Sequence, residues 1–290
     1  LLTYHSSPSL LNIENLDIMK NYFHTNWSYL TNTILTQYDN NGLNPITTTT
    51  NYFYDNINHL QQTRIETANS KGEVLTSVTK YAHDVDDLRL ISENRIAEPI
   101  EMKTFKGDDQ ISHQKTIYNN NTNDQLYLPK TIQTSKGTAP LEDRIVYHKY
   151  DDKSNPVEIS KKDGTKIYYV WGYHKTQPIA KIEGYTDAQI TAVQTKIKTA
   201  VTASNSDTSR CLDSGNCNEK VLRDKLTLLR NALPNAQVTT YTYDPLIGVT
   251  SITNPRGETI YYTYDTFNRL EFVKDADGNI LTNNQYNYKN

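Results

Sequence analysis

The chain is 290 residues long, with 30 Lys+Arg against 33 Asp+Glu and a formal net charge of −3. A balance so near zero excludes a nucleic-acid binder held by phosphate neutralisation and a polybasic membrane anchor, and no apolar run approaches the roughly 20 residues of a membrane helix. Hydrophobic residues make up only 36%, yet 22 Tyr stand against 5 Phe and 2 Trp, which suits β-sheet with thin cores because Tyr favours strands and keeps its hydroxyl at a wet edge.

The chain opens on Leu1 with no charged stretch ahead of an apolar one. The expectation is a fragment or processed product, with any export signal outside it. Through the N-terminal half an aromatic–acid slot recurs irregularly: Tyr38-Asp39, Tyr52-Phe53-Tyr54-Asp55, Tyr81-Ala82-His83-Asp84 and Tyr118-Asn119. Lys71-Gly72, Lys106-Gly107 and Lys136-Gly137 supply turns between β-rich flanks.

The phase then becomes regular. Trp171-Gly172 follows Tyr150-Asp151 by 21 residues, and Asp163-Gly164 falls seven residues before Trp171. Toward the C-terminus the same spacing returns: Tyr243 and Tyr264 are 21 residues apart, with Gly257 seven before Tyr264. Tyr286-Asn287-Tyr288 closes the series after the Asp277-Gly278-Asn279 turn. Each unit reads as a strand of period two such as 260–264, an Asp that starts a turn, a second strand such as 269–274, and a Gly turn adopting φ > 0. A lone hairpin is unstable, so the units are expected to stand side by side in one antiparallel sheet. Tyr150, Trp171, Tyr243, Tyr264 and Tyr288 are the expected repeat core, and Gly164, Gly257 and Gly278 the repeat turns.

One stretch, 185–234, lacks alternation. Thr186 and Gln189 form a capping box, and Ile190, Val193, Ile197 and Val201 follow along one helical face. A second helix runs from about Glu219, with Asn218 as N-cap, Leu222, Leu226, Leu229 and Leu233 on one stripe, and Pro234 as its stop. The reading is a helical hairpin inserted between β units. Its connection, 204–217, is polar and turn-rich, with Cys211 and Cys217 flanking the tightest part.

The stretch Tyr241-Thr242-Tyr243-Asp244 through Tyr261-Tyr262-Thr263-Tyr264-Asp265 to Arg269-Leu270, with Asp277-Gly278-Asn279, closely resembles the YD-repeat (RHS-repeat) family. Trp171-Gly172-Tyr173 and Gln177-Pro178-Ile179-Ala180-Lys181-Ile182 look like the version in secreted proteins of Bacteroidota. The match is strong over 145–182 and 238–290 and degenerate elsewhere. The resemblance implies a mainly β fold of tandem hairpins forming a curved or spiral antiparallel sheet, here a partial RHS-type shell interrupted by the helical hairpin. It divides the chain into repeats over 1–183, the insertion over 184–237, and C-terminal repeats over 238–290. It also implies export and a secreted or cell-surface location, and no catalytic residue in the repeats. Tyr243-Asp244-Pro245-Leu246-Ile247-Gly248 resembles the core motif that ends some shells, but Val249 stands where those have Arg and ordinary repeat sequence follows.

Candidate chemistry is sparse. The Tyr ladder reads either as a sugar-stacking platform or as core and edge shielding, the latter favoured. Asp275-Ala276-Asp277-Gly278-Asn279 superficially resembles a calcium loop, but the Gly is fourth and the twelfth residue is Tyr286, so a hairpin turn is favoured. The seven His (His5, His24, His59, His83, His113, His148, His174) show no metal spacing. No nucleophile elbow or phosphate loop occurs. No enzyme activity, cofactor or metal is expected. In an exported chain Cys211 and Cys217 read as a disulfide, with two reduced thiols as the alternative.

The functional expectation is a non-catalytic scaffold or shell module for interaction or encapsulation at the cell surface. Its expected partner is a protein or the remainder of a longer YD-repeat shell, with no nucleic acid and no membrane span. A carbohydrate-binding surface protein and the shell of a toxin-delivery protein without its effector are the alternatives. The Tyr-Lys-Asn ending favours the scaffold. The helical hairpin is expected to be a docking element, a plug, or a tolerated surface insertion, with its apolar stripe buried in each case.

Overall fold

A computed structural model describes residues 2–4, 16–18, 27–120, 127–208 and 217–288. Two short strands, β1 (Leu2–Tyr4) and β2 (Leu16–Ile18), pair with each other. The other described strands form a single sixteen-stranded sheet in strict sequence order, every neighbouring pair antiparallel. Its N-terminal half contains β3 (Asn32–Gln37), β4 (Ile46–Phe53), β5 (Arg64–Ala68), β6 (Val74–Lys80), β7 (Glu101–Lys106), β8 (Asp109–Asn120), β9 (Tyr127–Lys136) and β10 (Glu142–Tyr150). The second half contains β11 (Pro156–Lys161), β12 (Lys166–Gly172), β13 (Gln177–Glu183), β14 (Gln237–Asp244), β15 (Gly248–Thr253), β16 (Thr259–Tyr264), β17 (Leu270–Lys274) and β18 (Ile280–Asn283). The sheet is open: β3 and β18 each pair on one side only among the described residues.

Local chemistry explains the sequential order. Six turns share one construction, in which an Asp or Asn accepts through Oδ1 from the backbone N–H two and four residues on. They start at Asp39, Asn69, Asp151, Asn254, Asp265 and Asp275. The fourth residue of each is left-handed: Gly42, Gly72, Ser154, Gly257, Asn268 and Gly278 have φ between 60° and 88°. This is a type I turn followed by a left-handed residue, whose twist suits a short hairpin. Asp275 therefore holds its own backbone, as a hairpin turn requires, through bonds of 3.0 Å from Asp277 and 2.8 Å from Asn279.

The detour between β13 and β14 is helical: α2 (Asp187–Ala192), α3 (Gln194–Asn205) and α4 (Asn218–Asn231). The capping box forms, with Gln189 N donating to Thr186 Oγ1 and Thr186 N donating to Gln189 Oε1. The expected first helix is broken at Val193, which caps α2 and starts α3. The N-cap of α4 is Cys217, whose Sγ accepts from Lys220 N, while Asn218 donates instead to the Ser206 carbonyl. Ile190, Val193, Ile197, Leu222, Leu226, Leu229 and Leu233 are all buried.

These helices are not a projecting ornament. Their apolar stripe packs with Val170, Ile179, Ala180, Ile182 and Val238 of β12–β14 into the largest buried cluster described. An amphipathic helix pair needs an apolar surface to cover, and a sheet this thin needs a cover on at least one face. Each solves the other's exposure.

A smaller cap, not anticipated from sequence, lies between β6 and β7. A 3-10 turn (Ala82–Asp84) leads to α1 (Leu88–Ser92), with Asp87 capping Leu90 N. Ala82, Leu90 and Ile100 form its core, with Tyr118 and Tyr127 against it. Toward the edges burial fades: Ile34, Leu35, Ile280 and Leu281 are all exposed.

Candidate functional site

The repeated aromatics converge on one arrangement. Tyr118, Tyr150, Trp171, Tyr243 and Tyr264 each follow a register shift and stand opposite a residue at or near the start of the next strand's ladder. Those opposed residues are Pro129, Pro156, Pro178, Val249 and Leu270. The next aromatic in the series then donates to the carbonyl of that same residue. Tyr150 Oη bonds Pro129 O, Trp171 Nε1 bonds Pro156 O at 2.9 Å, and Tyr243 Oη bonds Pro178 O at 3.0 Å. Tyr264 Oη bonds Val249 O at 2.8 Å, and Tyr286 Oη bonds Leu270 O at 3.0 Å.

The result is an unbroken row from β8 to the segment after β18, aromatics on even strands and acceptors on odd ones. The bulge supplies the reason for the acceptor. An extra residue leaves a ladder carbonyl without its strand partner, and a buried orphan carbonyl is costly. Proline at three of the opposed positions has no N–H to orphan as well. Two looser copies continue the pattern N-terminally: Tyr54 Oη donates to Leu30 O at 3.3 Å and Tyr81 Oη to Gln62 O at 3.1 Å. Burial pushes the Tyr243 hydroxyl up to about 12 and raises that of Tyr150 further, so both are neutral donors at physiological pH.

Tyr150, Trp171, Tyr243 and Tyr264 thus occupy equivalent places, half-buried rather than sealed inside. Tyr288 does not: it is 76% exposed, and Tyr286 holds the slot. The spacing of 22 from Tyr264 to Tyr286 keeps the phase better than the 24 to Tyr288. Gly164, Gly257 and Gly278 are left-handed, at φ 83°, 88° and 83°. The polar tips of the slot aromatics are committed to backbone carbonyls. Cys211 lies outside the described residues, and so does the expected bridge to Cys217.

The β12–β13 turn is strained. Tyr173, His174 and Lys175 are successively left-handed, at φ 48°, 57° and 66°, a conformation costing roughly 1–2 kcal/mol per residue. The end of α3 holds it there: Ser204 Oγ accepts from Tyr173 N at 3.1 Å and Asn205 Oδ1 from His174 N at 2.7 Å. The Tyr173 hydroxyl donates to Asp207 at 2.7 Å and accepts from Tyr243 N at 2.9 Å. Tyr173 therefore couples the helical cap to the aromatic row, a link that the repeat period alone does not reveal.

At the smaller cap, His59 is buried. Its Nδ1 accepts from Gln61 N at 3.0 Å, so Nε2 carries the proton and donates to Asp84 at 3.1 Å. Burial works to raise the Asp84 carboxyl, but bonds from Asn56, Tyr81 N and His59 outweigh it and hold it below the usual range. The group clamps the loop after β4 to the turn after β6. Among the described residues no three His, Cys, Asp or Glu side chains gather as a metal set, and no helix is long and apolar enough to cross a membrane.

No family model matches the chain, and no curated protein matches it in sequence. Solved structures similar to it include TcdB2-TccC3 without its hypervariable C-terminal region, at 10% identity and a TM-score of 0.36. Another is the Photorhabdus luminescens Tc holotoxin pore, at 11% identity and a TM-score of 0.33. Each match covers 87% of this chain and 12% of the other, so the chain spans a small part of those proteins' length.

Proposed function

We propose that this chain is a non-catalytic, exported scaffold of the YD-repeat kind, a stretch of wall that binds or encloses a protein partner at the cell surface. The aromatic row carries this reading. Its repeated residues, the ones a repeat protein would otherwise offer as a site, are bonded to the backbone of neighbouring strands and serve to extend the sheet. The open strand order supports it too, because a wall of this kind grows by adding hairpins at an edge.

The test is made in the source cells. The protein is tagged, intact cells are treated with an external protease, and cross-linked neighbours are identified by mass spectrometry. Surface cleavage and cross-links to a further YD-repeat polypeptide support the scaffold. Retention in the cytoplasm, or turnover of a substrate by the purified protein, overturns it. Selective capture of a glycan by the slot aromatics overturns it in favour of the carbohydrate-binding alternative.

A further inference from the structure

Beside the core, α4 overhangs β14–β16 and leaves a polar cleft of about 400 Å³. Its composition is one-sided. Lys220, Arg223, Arg230 and Arg256 line it, against one lining carboxylate, Asp224. Residues 220, 223 and 230 fall on one polar flank of α4, beside the buried Leu222–Leu226–Leu229 stripe, with 230 about 15 Å along the axis from 220. The floor is built of hydroxyls, with Thr240 and Thr242 from β14, Ser251 and Thr253 from β15, and Thr259 from β16.

The cations differ in what neutralises them. Arg223 pairs with buried Glu219 at 2.6 Å, and Lys220 approaches Asp224 at 3.5 Å. Arg230 donates from Nη2 only to neutral oxygens, Thr240 Oγ1 at 3.0 Å and Thr253 O at 3.1 Å. Its Nε is buried and has no hydrogen-bond partner among the described residues. Burial lowers its affinity for its proton, and nothing offsets that effect. A half-buried guanidinium held by one hydroxyl and one carbonyl, with no carboxylate paired to it among the described residues, is an unfinished charge.

We propose that the cleft is a binding site for a small oxyanion ligand, the carboxylate or phosphate of a hydroxylated molecule. The anionic group sits between Arg230 and Arg256, and the ligand's hydroxyls meet Thr253 and Thr259 on the floor. The planar fork of Arg suits both anions, and the volume lies at the lower end of small-molecule sites. The Tyr261 ring walls the cleft at the β16 side, with the Arg223 guanidinium 5.5 Å from its centre. The site does not depend on the scaffold reading, since it uses none of the slot aromatics.

The experiment titrates the full chain with inorganic phosphate and, separately, with glucuronate, by calorimetry in a buffer holding about 150 mM chloride to screen unspecific attraction. Saturable one-to-one binding of either probe is expected, and which probe binds more tightly identifies the anion's source. Arg256→Ala, at the exposed rim, weakens it about tenfold or more, as the loss of a charge-assisted bond does. Arg230→Met abolishes it while the circular dichroism spectrum is kept, and Arg144→Ala, far from the cleft, changes nothing. If Arg230→Met fails to fold, Arg256→Ala decides alone. Absence of saturable binding of both probes to the unaltered protein overturns the proposal, as does unchanged affinity in Arg256→Ala.

Discussion

Ser204, near the end of α3, packs on Gly172 of β12 so closely that any side chain at Gly172 would run into its hydroxyl. A Cβ there would also lie 2.6 Å from Ile179 Cγ2. The Trp-Gly pair, which replaces Tyr-Asp at this one repeat, thus marks where the helical cap meets the sheet. Gly172→Ala is expected to cost about 1–3 kcal/mol, the range for overpacking a filled core. Urea unfolding measures it. Gly164→Ala is the companion, because open space surrounds that position and its penalty arises only from the left-handed φ of 83°. An unchanged urea midpoint for Gly172→Ala would mean that α3 does not bear on β12.

Tyr264 separates the two contributions of a slot aromatic. Tyr264→Phe keeps the ring and removes the bond to Val249 O, so a loss of about 1 kcal/mol is expected. Tyr264→Ala also removes the ring, and because the ring is only half-buried the total is expected near 2 kcal/mol, below the range for sealed aromatics. Tyr288→Ala, at 76% exposure, is expected to change stability by less than about 0.5 kcal/mol. If Tyr288→Ala were the costlier of the two alanine variants, the row would end at Tyr288 rather than Tyr286.

The repeat was legible because its determinants are local. The turn residues at 254–258, 265–269 and 275–279 close on their own backbone, and the 21-residue phase places Tyr243 and Tyr264 on equivalent strands. The helices were legible from the spacing of Ile190 to Leu233. What the stripe covers was not, because periodicity shows that a face is apolar without showing which face of the sheet receives it. Short α1 escaped for a related reason: five residues hold too little periodicity to outweigh a nearby Tyr-x-x-Asp that imitates the repeat. The bond from Arg230 to Thr253 joins residues 23 apart and belongs to tertiary packing alone.

The turns carry a pH dependence of definite sign. The Asn279 side chain and backbone N–H hold the Asp275 carboxyl below its ordinary 3.8. In the Asp265 turn Arg269 does the same through its side chain and N–H, and at Asp39 the Leu43 N–H leads. A carboxyl lowered on folding contributes stability that is fully present above its unfolded value and is lost as pH falls through the folded one. The loss therefore falls below about pH 4. Carboxyl titration by NMR should show all three below 3.8. Asp275→Asn should keep the hairpin at neutral pH, since Asn69 and Asn254 build the same turn, while removing its share of the acid sensitivity. Asp275→Ala should loosen the turn at every pH. Equal acid sensitivity in the Asn variant would detach the turn from the effect.

The helical hairpin offers the most severe test of the core assignment. Val170, Ile179, Ala180, Ile182 and Val238 are at most 3% exposed only because α2–α4 lie on them. Excision of 185–234 with a short Gly/Ser bridge would leave that patch bare in the middle of the sheet. It would also strip the left-handed Tyr173–Lys175 turn of the Ser204 and Asn205 bonds that hold it. Loop closure itself opposes such a deletion only weakly, so any failure reports lost packing. The expected product binds a hydrophobic dye, aggregates, and lacks a cooperative transition. Leu226→Ala, a gentler probe of the same contact, should cost about 2–5 kcal/mol, the range for a buried leucine truncated in place. Hydrogen exchange locates the damage: amides of β12, β13 and β14 should lose protection in Leu226→Ala while those of β5 and β6, far along the sheet, keep theirs. A soluble, cooperatively folding excision product with protected β12–β14 amides would return the hairpin to the status of a surface insertion.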